Sequence, residues 1–154
     1  MNKKVEEILR QLSTSNRWKI ETECIQHGDV TVFDHSVNVA ETSIAFAAKL
    51  PITVNEESLI KGALLHDYFL YDWHNKEQSP GLHGFKHPYI ALKNAEEDYD
   101  LNDIEKNIIL RHMFPLVPIP PRCKEAWIVC VADKYCALGE TVSGWLKKVL
   151  PIGA

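Results

Sequence analysis

No apolar run in this 154-residue chain approaches the roughly 18 residues of a membrane-spanning helix, so no such helix is expected. No block of Lys and Arg occurs either, and the formal net charge is −4, so the basic patch of a nucleic-acid-binding surface is missing. That does not exclude a small phosphorylated substrate, which one local cation or metal is enough to hold. Met1 to Leu12 is charged and amphipathic and lacks the apolar core of a secretory leader. The four cysteines, Cys24, Cys123, Cys130 and Cys136, include no CxxC pair. A chain of this size does not need disulfide staples, so reduced thiols in a cytoplasmic protein are expected. Internal repeats and low-complexity segments are absent, and β signals are weak.

What is present is ordinary for a globular protein: 45% hydrophobic and 25% charged residues. The length suits one domain over residues 1–154, able to bury about two thirds of its unfolded surface. One stretch stands out. In Gly62-Ala63-Leu64-Leu65-His66-Asp67 an apolar run ends abruptly in a His–Asp pair. Aspartate is almost never fully buried without a partner, and an uncompensated buried carboxylate is very costly. A metal ion is one effective compensation, since neutral imidazole and carboxylate both bind Zn, Fe or Mn well. Further ligands would come from elsewhere, and His35, His87, His112 and Asp133 are the candidates.

The chain reads as helical throughout. Val5, Ile8, Leu9 and Leu12 recur at helical spacing over Lys3 to Leu12. A second helix is expected from Trp18 to about His27, ending at Gly28. A third runs from Thr31 to Leu50, with Val32, Val39, Ile44, Ala47 and Leu50 on its buried side and His35 near its start. A lone histidine there is usually a solvated or hydrogen-bonded one, but small and apolar neighbours downstream suggest a packed interior. Asn55 is the expected N-cap of a fourth helix, apolar nearly all round, that delivers His66 and Asp67 at its C-terminal end. Tyr68 to Leu82 is a loop rich in aromatics, either a pocket wall or a segment folded back on the core. His87-Pro88 opens a fifth helix, as proline suits a first turn. Leu101 to His112 is the sixth, with His112 near its apolar face. Proline-rich Pro115 to Pro121 is a short rigid connector. The last helical region, Lys124 to about Val149, has possible breaks at Gly139 or Gly144. Its apolar block ends in Asp133-Lys134. Adjacent residues on a helix do not share a face, so Asp133 is expected to point inward and Lys134 toward a cleft mouth. Cys130 and Cys136, which flank Asp133, are read as core packing.

The ordered set His35, His66-Asp67 and Asp133 resembles the H…HD…D signature of the HD-domain superfamily of metal-dependent phosphohydrolases. The resemblance spans about Val32 to Glu140. It implies an all-α, single-domain helical bundle with the metal site between helices. Lys86-His87-Pro88 and His112 also resemble the additional ligand segments of the HD-GYP subgroup. Met113-Phe114-Pro115 stands where that subgroup carries Gly-Tyr-Pro, and Arg111-His112 replaces its doubled histidine. The resemblance implies two divalent ions, of Fe, Mn, Zn, Co or Ni. His35, His66 and Asp133 would hold one, His87 and His112 the other, and Asp67 would bridge them.

Such a pair, roughly 3.5–4 Å apart, clamps a phosphoryl group and activates water. Four neutral imidazoles and two carboxylates against two divalent ions leave a positive site. Asp67, Lys134 and Asp72 are the candidate catalytic residues, with Asp72 or His74 able to protonate a leaving alkoxide. Lys134, Arg111, Trp73, His74 and His83 are the candidate substrate contacts, although Lys134 or Arg111 could equally be a solvated charge. The expected function is hydrolysis of a nucleotide or other small phosphoester. Two alternatives stay open. One is the mixed-valent di-iron oxygenase that the same ligand pattern resembles; the other is a non-catalytic nucleotide-sensing module. No polymer or membrane partner is expected, and a homodimer through the Met1–Leu12 helix and Trp145 is possible.

Overall fold

The computed structural model describes residues 1–22, 24–27, 30–72 and 81–149. Helix α1 (Lys3–Leu12) is followed by a 3-10 helix (Asn16–Thr22) and an antiparallel hairpin of β1 (Ile25–His27) and β2 (Val30–Thr31). Among the described residues five helices follow: α2 (Val32–Ala47), α3 (Glu56–Leu65), α4 (His83–Asp98), α5 (Asp103–Arg111) and α6 (Lys124–Val149). The architecture is all-α, as expected. Among the described residues no helix is long and apolar enough to cross a membrane.

Helix α3 is the central element, because it is apolar nearly all round. Leu59, Ile60, Ala63, Leu64 and Leu65 are fully buried, and α3 packs on α1, α2, α5 and α6. Asn55 caps it by accepting from the Ser58 amide at 3.1 Å. Gly62 sets the distance to α5: a Cβ at this position would stand 2.5 Å from Ile108 Cδ1. Only the missing side chain permits that approach.

Helix α5 is fixed by a capping box. Asn102 accepts from the Glu105 amide at 3.0 Å, and Glu105 accepts from the Asn102 amide at 3.2 Å. The apolar face of α1 (Val5, Ile8, Leu9, Leu12) is buried against the chain's own core. Trp145, by contrast, is well exposed.

Four local expectations are corrected. The segment after Trp18 forms a 3-10 turn and a hairpin instead of an α-helix. Ile25, Val30 and Thr31 are β-branched and suit extended backbone, while Trp18 anchors the turn by stacking on Tyr68 at 5.8 Å. Leu50 lies beyond the end of α2 and is exposed. Helix α4 begins at His83, one turn before His87-Pro88, so Pro88 sits inside the helix. Its ring forgoes one backbone hydrogen bond without ending the helix. Helix α6 runs unbroken through Gly139 and Gly144. Single glycines lower helix propensity by about 1 kcal/mol and do not by themselves stop a packed helix.

Candidate metal centre

Five helical segments send one or two side chains each to a single point in the bundle. His35 comes from the first turn of α2, and His66 and Asp67 from the end of α3. His87 comes from the second turn of α4, His112 from the C-cap of α5 and Asp133 from α6. All six are buried, none more than 8% exposed. His66 and His112 both sit at helix C-termini, where unsatisfied carbonyls carry partial negative charge and favour cations. The chain after Asp67 is held by Asn94, whose amide donates to the Tyr68 and Phe69 carbonyls at 3.1 Å.

The carboxylate of Asp67 lies between two groups of imidazoles. Its Oδ2 is 3.4 Å from His66 Nε2. Its Oδ1 is 3.1 Å from His87 Nε2 and 3.4 Å from His112 Nε2. On the first side, Asp133 Oδ1 is 3.1 Å from His35 Nε2 and 3.7 Å from His66 Nε2. On the second, the Nε2 atoms of His87 and His112 approach to 2.8 Å.

The tautomers follow from the other ring nitrogens. His66 Nδ1 donates to the Ala63 carbonyl at 2.7 Å, His87 Nδ1 to the His83 carbonyl at 2.9 Å, and His112 Nδ1 to the Ile109 carbonyl at 2.8 Å. A carbonyl only accepts, so each Nδ1 bears a proton and each ring turns its Nε2 into the cluster, where the neutral form presents a lone pair. His66 Nε2 is fully buried there without a hydrogen-bond partner. The facing lone pairs of His87 and His112 repel unless a proton or a cation lies between them. Ligands on one ion, bound at about 2.0–2.2 Å, stand roughly 3–3.6 Å apart, close to the separations found around Asp67. The donor set thus fits divalent metal. His35, His66 and Asp133 form one group of donors that could hold an ion, and His66, Asp67 and His112 form another.

The electrostatics agree. Burial pushes the Asp67 carboxyl up, but the imidazoles of His66 and His87 outweigh it and hold it well below the usual carboxylate range. Burial likewise raises Asp133, and its hydrogen bond to His35 and the nearby His66 imidazole pull it below that range. Burial lowers the His35 imidazole, yet hydrogen bonds to Asp133 and Glu140 raise it to about 10. Burial also lowers His66, while Asp67 and Asp133 raise it above its ordinary value. Burial keeps His112 below its ordinary value. The cluster thus keeps two buried carboxylates ionised, and they call for positive charge.

A cavity of about 720 Å³ reaches the cluster from one side. Asp67, His87, His112 and Asp133 line it, together with His83 and Lys134; His35 and His66 lie behind. Lys134 donates from Nζ to the His112 carbonyl at 2.7 Å and the Cys130 carbonyl at 3.3 Å, so its charge is fixed at the cavity edge. His83 stacks on His87 with ring centroids 4.6 Å apart, and its Nδ1 is 2.9 Å from the Tyr71 hydroxyl. Burial and the Asp67 charge push the Tyr71 phenol up to about 12, so it stays protonated.

Two expected contacts lie elsewhere. Arg111 lines a separate groove with Asp103, Asn107 and Arg122, because the neighbour of a helix residue leaves the axis about 100° away. Asp72 is half-buried and does not line the cavity. Trp73 and His74 lie outside the described residues. Cys130 and Cys136 are buried free thiols, as expected of core residues.

Two contributors escaped the sequence reading. Glu140 Oε2 meets His35 Nδ1 at 2.9 Å, while Asn38 Nδ2 donates to Glu140 Oε1 at 3.2 Å. The signal was available: Glu140 follows Asp133 by seven residues, two helical turns along one face. Tyr71 was read only as part of an aromatic loop.

This all-helical chain therefore carries a buried His/Asp cluster that could hold metal ions. A family model described as HD domain matches residues 32–138. The chain belongs to the HD-domain family, whose members are generally metal-dependent hydrolases. No curated protein and no solved structure matches it.

Proposed function

We propose that this protein is a metal-dependent phosphohydrolase that acts on a small phosphoester, with two divalent ions held by His35, His66, Asp67, His87, His112 and Asp133. The observation that carries the proposal is the position of Asp67, with Oδ2 beside His66 and Oδ1 beside His87 and His112. A carboxylate that offers one oxygen to each of two donor groups is suited to bridging. Divalent ions there supply Lewis acidity toward a phosphoryl oxygen and toward water.

The chain's own residues then have separate tasks. The Nδ1–H donations to backbone carbonyls lock three rings with Nε2 turned inward, the nitrogen that would ligate. Lys134 places a fixed positive charge where a phosphate oxygen would lie. Its ammonium is anchored on the His112 carbonyl, so it also ties α6 to the end of α5. The Tyr71 hydroxyl hydrogen-bonds His83 Nδ1 at 2.9 Å and orients that ring on the cavity wall. His83, on the cavity wall, joins Asp72 and His74 as a candidate to hydrogen-bond a leaving-group oxygen.

The test combines elemental analysis of protein purified anaerobically with a phosphoester screen on the same sample. Two divalent ions per chain and release of inorganic phosphate are expected. Asp67→Ala should lose both while its circular dichroism stays helical. Full activity in that variant would sink the site. A mixed-valent di-iron signal that responds to O₂, with no phosphate released from any ester, would overturn the hydrolase reading.

A further inference from the structure

The cavity that reaches the His/Asp cluster has two unlike linings. One is polar and carries the cluster and Lys134. The other is carbon: Met113, Pro115 and Leu116 from the connector after α5, and Ala137 one turn past Asp133 on α6. A single exposed leucine means little. Leu116, however, is 47% exposed within a concave surface that opens directly on the cluster. Gly84 braces this lining from α4. A Cβ on Gly84 would stand 3.0 Å from Leu116 Cδ2 and 3.8 Å from Met113 Cε. The missing side chain at Gly84 thus leaves room for Leu116 at the cavity.

We propose that the substrate is a phosphomonoester whose alcohol is a short aliphatic chain. The phosphate takes the polar side, and the chain lies on Met113, Pro115, Leu116 and Ala137. This rests on the phosphohydrolase reading and narrows it. In the reaction the oxygen of water bonds to phosphorus and the bond from phosphorus to the alkyl oxygen breaks. That oxygen leaves with a proton, so the products are the alkyl alcohol and inorganic phosphate. A nucleobase would instead call for a stacking ring or a donor–acceptor pair. The described side chains on this lining, Met113, Pro115, Leu116 and Ala137, include no aromatic ring and no strong hydrogen-bonding group. A cavity of about 720 Å³ is of small-molecule size and holds such a chain with its phosphate.

The experiment is calorimetric binding of methyl- to hexylphosphonate to the metal-loaded protein, paired with phosphate release from the matching alkyl phosphates and from nucleoside monophosphates. Each buried methylene should raise affinity about threefold to fourfold, with a negative heat-capacity change. Leu116→Asn should collapse the ratio of hexyl to methyl affinity. Ala137→Leu, which fills the same lining without adding polarity, should move the plateau to a shorter chain. Affinity that does not change with chain length, or a wild-type slope that persists in both variants, overturns the inference. So does tight nucleotide binding beside a flat alkyl series. If short phosphates are turned over while the slope is flat, the hydrolase reading survives and the substrate class falls. A steep slope without phosphate release leaves the ligand class standing and removes the reaction.

Discussion

Glu140 Oε2 lies 2.9 Å from His35 Nδ1, and Asp133 Oδ1 lies 3.1 Å from Nε2 of the same ring. The imidazole is held between two carboxylates contributed by one helix, seven residues apart. Glu140 orients the ring and raises its basicity, as carboxylates behind metal-bound histidines do.

Glu140→Ala should therefore weaken metal binding roughly 10- to 100-fold without removing a proposed ligand. Glu140→Gln, which keeps an acceptor for Nδ1–H and loses the charge, should fall between that variant and the wild type. Competition with a chelator of known affinity reads both. Equal affinities in all three proteins would reduce Glu140 to a packing residue.

His87 and His112 approach Asp67 Oδ1, whereas His35 and His66 approach Asp133 Oδ1. Replacing both by Ala should lower the metal content from two ions per chain to one, as measured by elemental mass spectrometry. An unchanged stoichiometry would show that the dinuclear assignment is wrong.

Gly62→Ala tests the helix spacing behind the cluster. The new methyl gains about 1 kcal/mol of helix propensity, but it would meet Ile108 at 2.5 Å from Cδ1 and 3.0 Å from the rigid Cβ. Overpacking of this kind costs about 1–3 kcal/mol. A lowered thermal midpoint is expected, and Ile108→Val in the same chain should recover part of it. A midpoint that rises would mean that α5 moves aside freely.

The metal-free protein should lose stability as pH rises from about 6.5 toward 10. The His35 pKa is raised in the folded state, to about 10, above its unfolded value of roughly 6.5. Its contribution is complete below the unfolded value and disappears as pH climbs through the folded one. His66, also raised, acts in the same sense. His112 is lowered and is neutral in both states above roughly 6.5, so it adds no slope there. The buried thiols, raised by burial, contribute above roughly 8.5 in either form of the protein. The difference in melting temperature between metal-free and metal-loaded samples therefore isolates the cluster. A metal-free midpoint that is flat between pH 6.5 and 9 would contradict the charged His35–carboxylate arrangement.

Much of the fold was legible in the sequence because its helices carry local signals. Asn55 and Asn102 cap where their side chains dictate, and the apolar block before His66 marks the central helix. The convergence of His35, His66, Asp67, His87, His112 and Asp133 on one point was expected from family resemblance, since spacing alone cannot bring α2 and α6 together. The hairpin after the 3-10 turn was missed because it is too short to show alternation. Arg111 was misplaced because adjacency to His112 in sequence means divergence on a helix. Glu140 was missed because its partner is 105 residues away; its spacing from Asp133 shows a shared helix face but not which ring that face meets. The early start of α4 was hidden by the rule that puts proline in a first turn.

His35 and Asp133 are 98 positions apart, and the remaining members of the cluster are spread between them on three other helices. No fragment that stops short of α6 contains the whole set. During synthesis the cluster stays incomplete until α6 has left the ribosome and docked against α2. A chain cut before α6 thus keeps the donors His66, Asp67, His87 and His112 but lacks the group that Asp133 completes with His35 and His66.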